Sequence, residues 1–450
     1  IASSLKPYLT GDRRIKINTH TDPDGISAGV ILAKCLKHYD TPFHVSFGGP
    51  PEKKDLENLK KQDYDLFIFL DQGTGQFQII KKHLLDKNCP VMILDHHPGD
   101  VKNQTGLDYL NPHIFNLSGA KDVSASGVTY SVIEKINPKF EKLSEIALIG
   151  ALGDRQDTPS GLTGINKKIL QKSIEKNIMT TKTGLKLYGR SLKIHECLSN
   201  SIKPFLLGIS GNESEAKNLV KKTGFSNEKT LENLSNSEEK KLRKKILEKI
   251  KIDAPENLKN SLWGTIYTSK TNQTAGPKNA HEYVTLLDSC EKFRKIEIGF
   301  SSLLGDEKSG EKALEIVEKY QNLIIETMNQ IASNKEKIKT TSHLRYLDFG
   351  DDVKSKIVGE ILSIAIESGL IKTDKPIFGL SKAGEDRLKI SARATPEYVE
   401  SGPALGKVLK KVSEELGGSG GGHNVAAAAR IPLERKSEFI KKTNKLIQKK

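Results

Sequence analysis

The chain has 450 residues, with 71 Lys and Arg against 56 Asp and Glu, a formal net charge of +15, and 36% apolar residues. That length suffices for two or three cores, and the cysteines Cys35, Cys89, Cys197 and Cys290 lie far apart with no C-x-x-C pair, which excludes a zinc ribbon or a disulfide-stapled scaffold. No stretch approaches the ~18 apolar residues of a membrane helix, residues 1–14 lack the pattern of a secretion signal, and the basic balance points to polyanions, so a cytoplasmic protein with no membrane role is expected.

The first part alternates short apolar runs with helical periods, the pattern of a parallel sheet wrapped by helices. Residues 14–18 (RIKIN), 65–70 (DLFIFL) and 91–94 (VMIL) are predicted strands, and Ile26, Val30, Ala33 and Leu36 recur at helical spacing after the first. Each strand delivers polar residues at its carboxyl end: His20, Asp22 and Asp24 in HTDPDG, then Asp71, then Asp95-His96-His97. In open α/β sheets that edge is where ligands bind. Residues 143–152 (LSEIALIGAL) read as a buried helix that presents Asp154 at its end.

Beyond residue 190 the composition turns polar and Lys-rich. Residues 212–252 are predicted helical, with an apolar stripe of Leu242, Ile246, Leu247 and Ile250, and the run SEEKKLRKKILEKIKI reads as a solvated face with i,i+4 pairs. A linker and a strand follow within 251–272, then helices at NAHEYVTLLDSC and EKALEIVEKYQNLIIETMNQI. The last unit carries strands at 344–349, 377–380 and 388–392, a helix at 352–367, the Gly-rich GGSGGGHNVAAAARI, and a Lys-rich tail expected as a frayed helix. The domains expected are 1–190, 191–275, 276–340 and 341–450.

Two carboxylates two residues apart repel, and burying them at a sheet edge raises their pKa or demands a cation. HTDPDG alone fits a capped Pro-Asp turn equally well. Asp71 after a buried strand, and two adjacent histidines after another, are poor core residues, whereas imidazole beside carboxylate suits Mn²⁺, Zn²⁺ or Fe²⁺. With Asp154 these clusters point to a two-metal site.

The order HTDPDG, FLDQG, LDHHPG and GALGDRQD resembles the four motifs of the DHH phosphoesterase superfamily. SARAT and GGSGGGHNVAAAARI resemble its DHH-associated substrate-binding domain, and NAHEYVTLLDSC with FSSLLGD resembles the archaeal RecJ-like nucleases. The resemblance implies an α/β protein: a parallel-sheet DHH catalytic domain, a smaller α/β DHH-associated C-terminal domain, and a helical middle insertion. It implies two divalent cations, Mn²⁺ ahead of Mg²⁺, held by Asp22, Asp24, Asp71, His96 and Asp154, with Asp71 and Asp154 as bridges. His20, Asp95 and His97 are then catalytic groups, His97 toward the scissile phosphate. Ser391 and Arg393 would grip a phosphate, together with Gly420, Gly421, Gly422 and His423 at a helix start. The implied activity is a metal-dependent exonuclease releasing mononucleotides from single-stranded DNA or RNA in replication or repair, with the GINS complex of the replicative helicase as a partner. A nanoRNase-like oligonucleotide hydrolase and a GINS-binding scaffold are the alternatives. The chain departs from its relatives in the alanine run 426–429 and in having no recognisable OB-like barrel, so strand-binding reach must come from the middle region or a partner. With 6% aromatics and a single Trp263, binding should be backbone-directed and sequence-tolerant.

Overall fold

Five short runs form the first sheet: β1 (Ile15–Thr19), β2 (Phe43–Phe47), β3 (Leu66–Leu70), β4 (Val91–Leu94) and β5 (Leu107–Leu110). All pairings are parallel, in the order β2-β1-β3-β4-β5. β1, β3 and β4 are buried at every residue, which is why they read as unbroken apolar runs. β2 and β5 form the edges and are mostly half-buried, and their mixed sequences FHVSF and LDYL escaped the sequence reading. Right-handed crossovers that leave β1 one way and β3 the other put helices on both faces. On one face Leu56 and Leu59 of the helix Lys53–Lys60, with Phe77 and Ile80 of Phe77–His83, pack on Phe67, Phe69, Val91 and Ile93. The helices Pro23–His38, Ala125–Ile136 and Ser144–Gly153 pack against one another in a second layer. Strand order reverses between β1 and β3, so a crevice opens at their carboxyl ends.

This computed structural model describes residues 1–157, 161–250 and 256–448. The chain divides into two units, Ile1–Lys186 with Gly264–Lys319, and Leu187–Trp263 with Tyr320–Lys450. The first also carries a two-stranded sheet of β6 (Met179–Leu185) and β7 (Trp263–Ser269), and the helices Ala280–Lys292 and Ile296–Leu304. Among the described residues no helix is long and apolar enough to cross a membrane.

The second unit contains a six-stranded sheet of β8 (Lys339–Thr340), β9 (Arg345–Gly350), β10 (Ile377–Lys382), β11 (Arg387–Arg393), β12 (Ser419–Gly422) and β13 (Ala426–Pro432). Its order is β12-β13-β11-β10-β9-β8, antiparallel except for β9 with β10. Phe378, Leu388, Ile390, Ala427, Ala429 and Ile431 form its core with Leu405, Leu409 and Val412 of the helix Leu405–Glu415. The structure departs from expectation at two places. Gly420–Gly422 do not open a helix; they lie in β12, and the alanines continue as β13. The reason is close packing: a Cβ on Gly406 would lie 2.0 Å from the Gly422 carbonyl oxygen, and one on Gly420 would lie 2.6 Å from Ser413 Oγ, so the helix Leu405–Glu415 runs directly against a strand without side chains. The tail is not frayed either, because the helix Lys436–Leu446 docks through the buried Phe439, with Ile447 buried just beyond it.

The helices Ile194–Ser199, Glu213–Thr223 and Asn236–Ile250 also belong to this unit. Asn236–Ile250 buries Leu242 and Ile246 and pairs its outer charges, Lys245 with Glu248 at 2.7 Å and Lys249 with Glu215 at 2.6 Å, as a solvated face should. The expected linker falls partly on residues 251–255, which lie outside the described residues.

Candidate metal centre

Thr19 pairs with Leu70, and Leu70 with Leu94, so the ends of β1, β3 and β4 form one register row. His20, Asp71 and Asp95 follow immediately, and their amides extend the ladder to Leu70, Leu94 and Leu110 at 3.3, 3.0 and 3.2 Å. With strands ~4.8 Å apart, the three side chains start from neighbouring points on one edge. Asp71 leaves its strand at φ 55°, a left-handed conformation that costs a residue with a Cβ and concentrates at functional sites. HTDPDG forms the capped turn and also brings His20 and Asp22 together at the sheet edge. Asp22 caps the helix Pro23–His38 by accepting Gly25 N at 2.9 Å, and its other oxygen stands 2.8 Å from His20 Nδ1. A side chain at Gly25 would put its Cβ 2.6 Å from the His20 carbonyl oxygen.

The remaining groups are fixed by backbone donors and acceptors. Asp24 is fully buried and accepts Ala125 N at 2.7 Å and Ser126 N at 3.0 Å, where the helix Ala125–Ile136 begins and its dipole favours an anion. Asp95 is saturated: Oδ2 accepts Thr74 N at 3.0 Å, and Oδ1 accepts His96 N at 2.7 Å, His97 N at 3.2 Å and His97 Nδ1 at 2.8 Å. It orients His97. His96 Nδ1 lies 2.7 Å from the Gly119 carbonyl, which can only accept, so Nδ1 carries a hydrogen and Nε2 is the nitrogen left to face the carboxylates and, once its proton is displaced, a cation. That Nε2 faces Asp71 at 3.2 Å, Asp154 at 3.2 Å and Asp24 at 4.0 Å.

Three overlapping groups have ligand-type atoms within 4.8 Å of one another: Asp24, His96 and Asp154; His20, Asp22 and Asp71; and Asp71, Asp95, His96 and His97. Asp71 and His96 are each common to two of them, and of these the carboxylate has the two oxygens that a bridging ligand needs, while Asp154 belongs to one group. His20 Nδ1, His96 Nε2 and both carboxylate oxygens of Asp71 are buried without a hydrogen-bond partner. Such orphaned atoms converging on one edge are what a cation cradle leaves, and carboxylate with imidazole suits Mn²⁺ or a similar ion. Burial, then the charge of Asp22, pushes Asp71 up to about 7; burial, then Asp24, pushes Asp154 up to about 9. Burial alone would lower His20 and His96, but the surrounding carboxylates outweigh it and lift both to about 11. Burial would raise Asp22, yet His20 and the Gly25 amide hold it far below the carboxylate range. Asp95 is likewise held down to about 2 by His97 and Thr74 against its burial, and the contact with Asp95 raises His97.

The other expected residues lie in the second unit. Ser391, Ala428 and Gly421 stand in one register row across β11, β13 and β12. Arg393 donates from Nε to Ser363 Oγ at 3.0 Å and from Nη1 to the Ala392 carbonyl at 2.9 Å, and a Cβ on Gly359 would lie 2.7 Å from its Nη2. Space is open over Gly421. His423 sits exposed in the β12–β13 turn, its N donating to the Ala426 carbonyl at 2.8 Å.

Several supporting residues were missed. Asn111 Nδ2 donates to the His97 carbonyl at 2.9 Å, Gly119 passes so close that a Cβ would lie 1.8 Å from the His96 carbonyl oxygen, and Gln156 reaches both Gly119 and Asp154. Asp157 pairs with Lys186 at 3.0 Å and with His281 at 2.9 Å, which gives the histidine of NAHEY a place beside the Asp154 segment. Only the GALGDRQD run, with the polar residues Arg155, Gln156 and Asp157 after Asp154, carried a local signal for Gln156 and Asp157.

Residues 14–153 match the family described as DHH family, N-terminal domain, and residues 343–449 match the DHHA1 domain. The chain is similar to an uncharacterized protein of Methanocaldococcus jannaschii, 29% identical over 439 residues that cover 96% of this chain and 93% of that one. Among solved structures it is similar to exonuclease RecJ bound to manganese, with a TM-score of 0.62 at 14% identity, covering 99% of this chain and 92% of that one. It is also similar to CDC45 from Entamoeba histolytica, with a TM-score of 0.66 at 13% identity, covering 97% and 95%. At such identities the likeness establishes a RecJ-like fold.

Proposed function

Because the chain belongs to the DHH superfamily, we propose that it is a divalent-metal-dependent phosphodiesterase, an exonuclease of RecJ type that releases mononucleotides from single-stranded DNA or RNA in replication or repair. The observation that carries this reading is the convergence of orphaned, buried ligand atoms of His20, Asp71 and His96 with Asp22, Asp24 and Asp154 on one sheet edge. Asp22, Asp24, Asp71, His96 and Asp154 would hold two cations, Mn²⁺ ahead of Mg²⁺, and His20 lies beside them. Cations bound there supply the charge neutralisation and water activation that attack on a phosphodiester needs.

The chain's own groups do the rest. In hydrolysis a water oxygen adds to phosphorus, the P–O ester bond breaks, and the leaving oxygen takes a proton. His97 is the donor. Its Nδ1 is committed to Asp95 at 2.8 Å, its side chain is 53% exposed, and the raised pKa keeps a proton on Nε2 for the phosphate or the leaving oxygen. Asp95 acts through His97 as its orienting carboxylate. In the DHHA1 domain, Arg393 and Ser391 are the proposed phosphate grip, with Gly420, Gly421, Gly422 and His423 offering backbone and ring donors.

A second reading, a GINS-binding replisome protein with secondary nuclease activity, is favoured by the CDC45-like fold. Matched single-stranded DNA and RNA oligonucleotides, labelled at either end and incubated with Mn²⁺ or EDTA, test the first reading. Metal-dependent laddering from one end to mononucleotides is expected. Intact strands under every condition would overturn it, and capture of GINS subunits by the same preparation would then support the second.

A further inference from the structure

We infer that Gln156 is a positioning residue for the cation site of Asp24, His96 and Asp154, one side-chain amide setting two of its three ligands. The inference rests on the metal-dependent reading above and deepens it. Gln156 is 1% exposed, in the segment that follows the helix Ser144–Gly153. Its Nε2 lies 2.9 Å from the Gly119 carbonyl oxygen and 3.3 Å from Asp154 Oδ2. The carbonyl can only accept, so the NH₂ end of the amide must face it. At the other end Oε1 accepts from Asn166 Nδ2 at 2.6 Å, and Asn166 is itself fully buried near the start of the helix Gly164–Glu175. Turning the Gln156 amide over would set its oxygen against a carbonyl and a carboxylate, with two NH₂ groups head to head.

The Gly119 carbonyl is therefore a two-donor acceptor, bonded by Gln156 Nε2 and by His96 Nδ1. The first bond pins the carbonyl; the second pins the ring so that His96 Nε2, the nitrogen left for a cation once its proton is displaced, faces Asp154 3.2 Å away. Asp154 Oδ2 is the same oxygen that Gln156 touches. One NH₂ group thus couples the direction of the histidine ring to that of the carboxylate. Gly119 is suited to this place by its lack of a side chain, since a Cβ would lie 1.8 Å from the His96 carbonyl oxygen. The groups of His20, Asp22 and Asp71 have no contact of this kind with Gln156 among the described residues, so the two cation positions should respond differently to its loss.

The test is Gln156→Met, which keeps length and volume but removes both donors, read by Mn²⁺ titration calorimetry on the full chain and by ¹⁵N chemical shifts of the His96 ring. Wild type should take two Mn²⁺. The variant should keep one near wild-type affinity and bind the other about 10–100-fold more weakly, and in the metal-free chain the His96 Nδ1 signal should move as its bond to the Gly119 carbonyl loosens. Wild-type affinity at both positions with an unchanged His96 Nδ1 signal would overturn the inference. If Gln156→Met does not fold, Asn166→Ala, which only frees the Gln156 amide to turn, must weaken the same position; an unchanged titration there would overturn the inference equally. A wild-type chain that binds no Mn²⁺ would instead overturn the metal-dependent reading itself.

Discussion

His97 faces solvent with one nitrogen already committed to Asp95, and this asymmetry gives it a different task from its neighbour His96, which is buried among carboxylates. His97→Gln is expected to lower kcat about 10²–10⁴-fold, the usual share of a general acid, while Mn²⁺ binding persists. Steady-state hydrolysis with a parallel Mn²⁺ titration measures both, and an unchanged kcat would remove His97 from the chemistry. The protonation of the cluster also has a sign. Asp71 at about 7 and Asp154 at about 9 sit above the ordinary carboxylate value of ~3.9, so the folded metal-free chain holds these protons more tightly than the unfolded chain. The stability they lend is complete below ~4 and is lost as pH rises through about 9. His20 and His96, raised to about 11, act in the same direction over a higher window, and Asp95, held to about 2, acts oppositely and only as pH falls below ~4. A divalent cation must displace the same protons, so its affinity rises as they leave. In EDTA, Tm should fall between roughly pH 6 and 9 while the Tm gain from Mn²⁺ grows over that interval; a gain independent of pH in a thermal-shift series would contradict this.

Among the elements, the helix Ser144–Gly153 carries the tightest constraint. A Cβ on Gly150 would lie 2.1 Å from Ser126 Oγ and 2.5 Å from Asp24 Oδ1. Gly150→Ala should therefore cost about 1–3 kcal/mol, as overpacking does, and weaken Mn²⁺ binding by displacing Asp24. Urea unfolding of the metal-free chain measures the first, and a variant as stable as wild type would mean the two helices part more easily than their packing implies. The same elements explain what could be read beforehand. β1, β3 and β4 are buried on both faces, so their runs are continuous and the residues just past them, His20, Asp71 and Asp95, could be named from spacing alone. β2 and β5, half-exposed at the edges, carry no such run. The glycines of β12 have no periodicity; their conformation is decided by the helix Leu405–Glu415 lying against them, a tertiary fact. Asn111 and Gly119 meet His97 and His96 only through the way the loops close, and no local pattern announces that; GALGDRQD marks Gln156 as polar but not its reach to the Gly119 carbonyl.

At the scale of the whole molecule, the described residues form a five-stranded parallel sheet, a six-stranded mixed sheet and a two-stranded one, in two units that each carry one of the matched family domains. The net charge of +15 acquires a role if the substrate is a polynucleotide. Binding of a single strand in EDTA should weaken linearly in log K against log salt, by about 0.7 for each phosphate neutralised, and fluorescence anisotropy at several salt concentrations measures that slope; a slope near zero would argue against backbone recognition. All of this chemistry depends on the carboxyl edge of the parallel sheet holding two cations. Anomalous scattering from crystals of the full chain grown with Mn²⁺ tests it most directly. Two peaks enclosed by Asp22, Asp24, Asp71, His96 and Asp154 are predicted; no peak at that edge, with Mn²⁺ present in the crystal, would contradict the account.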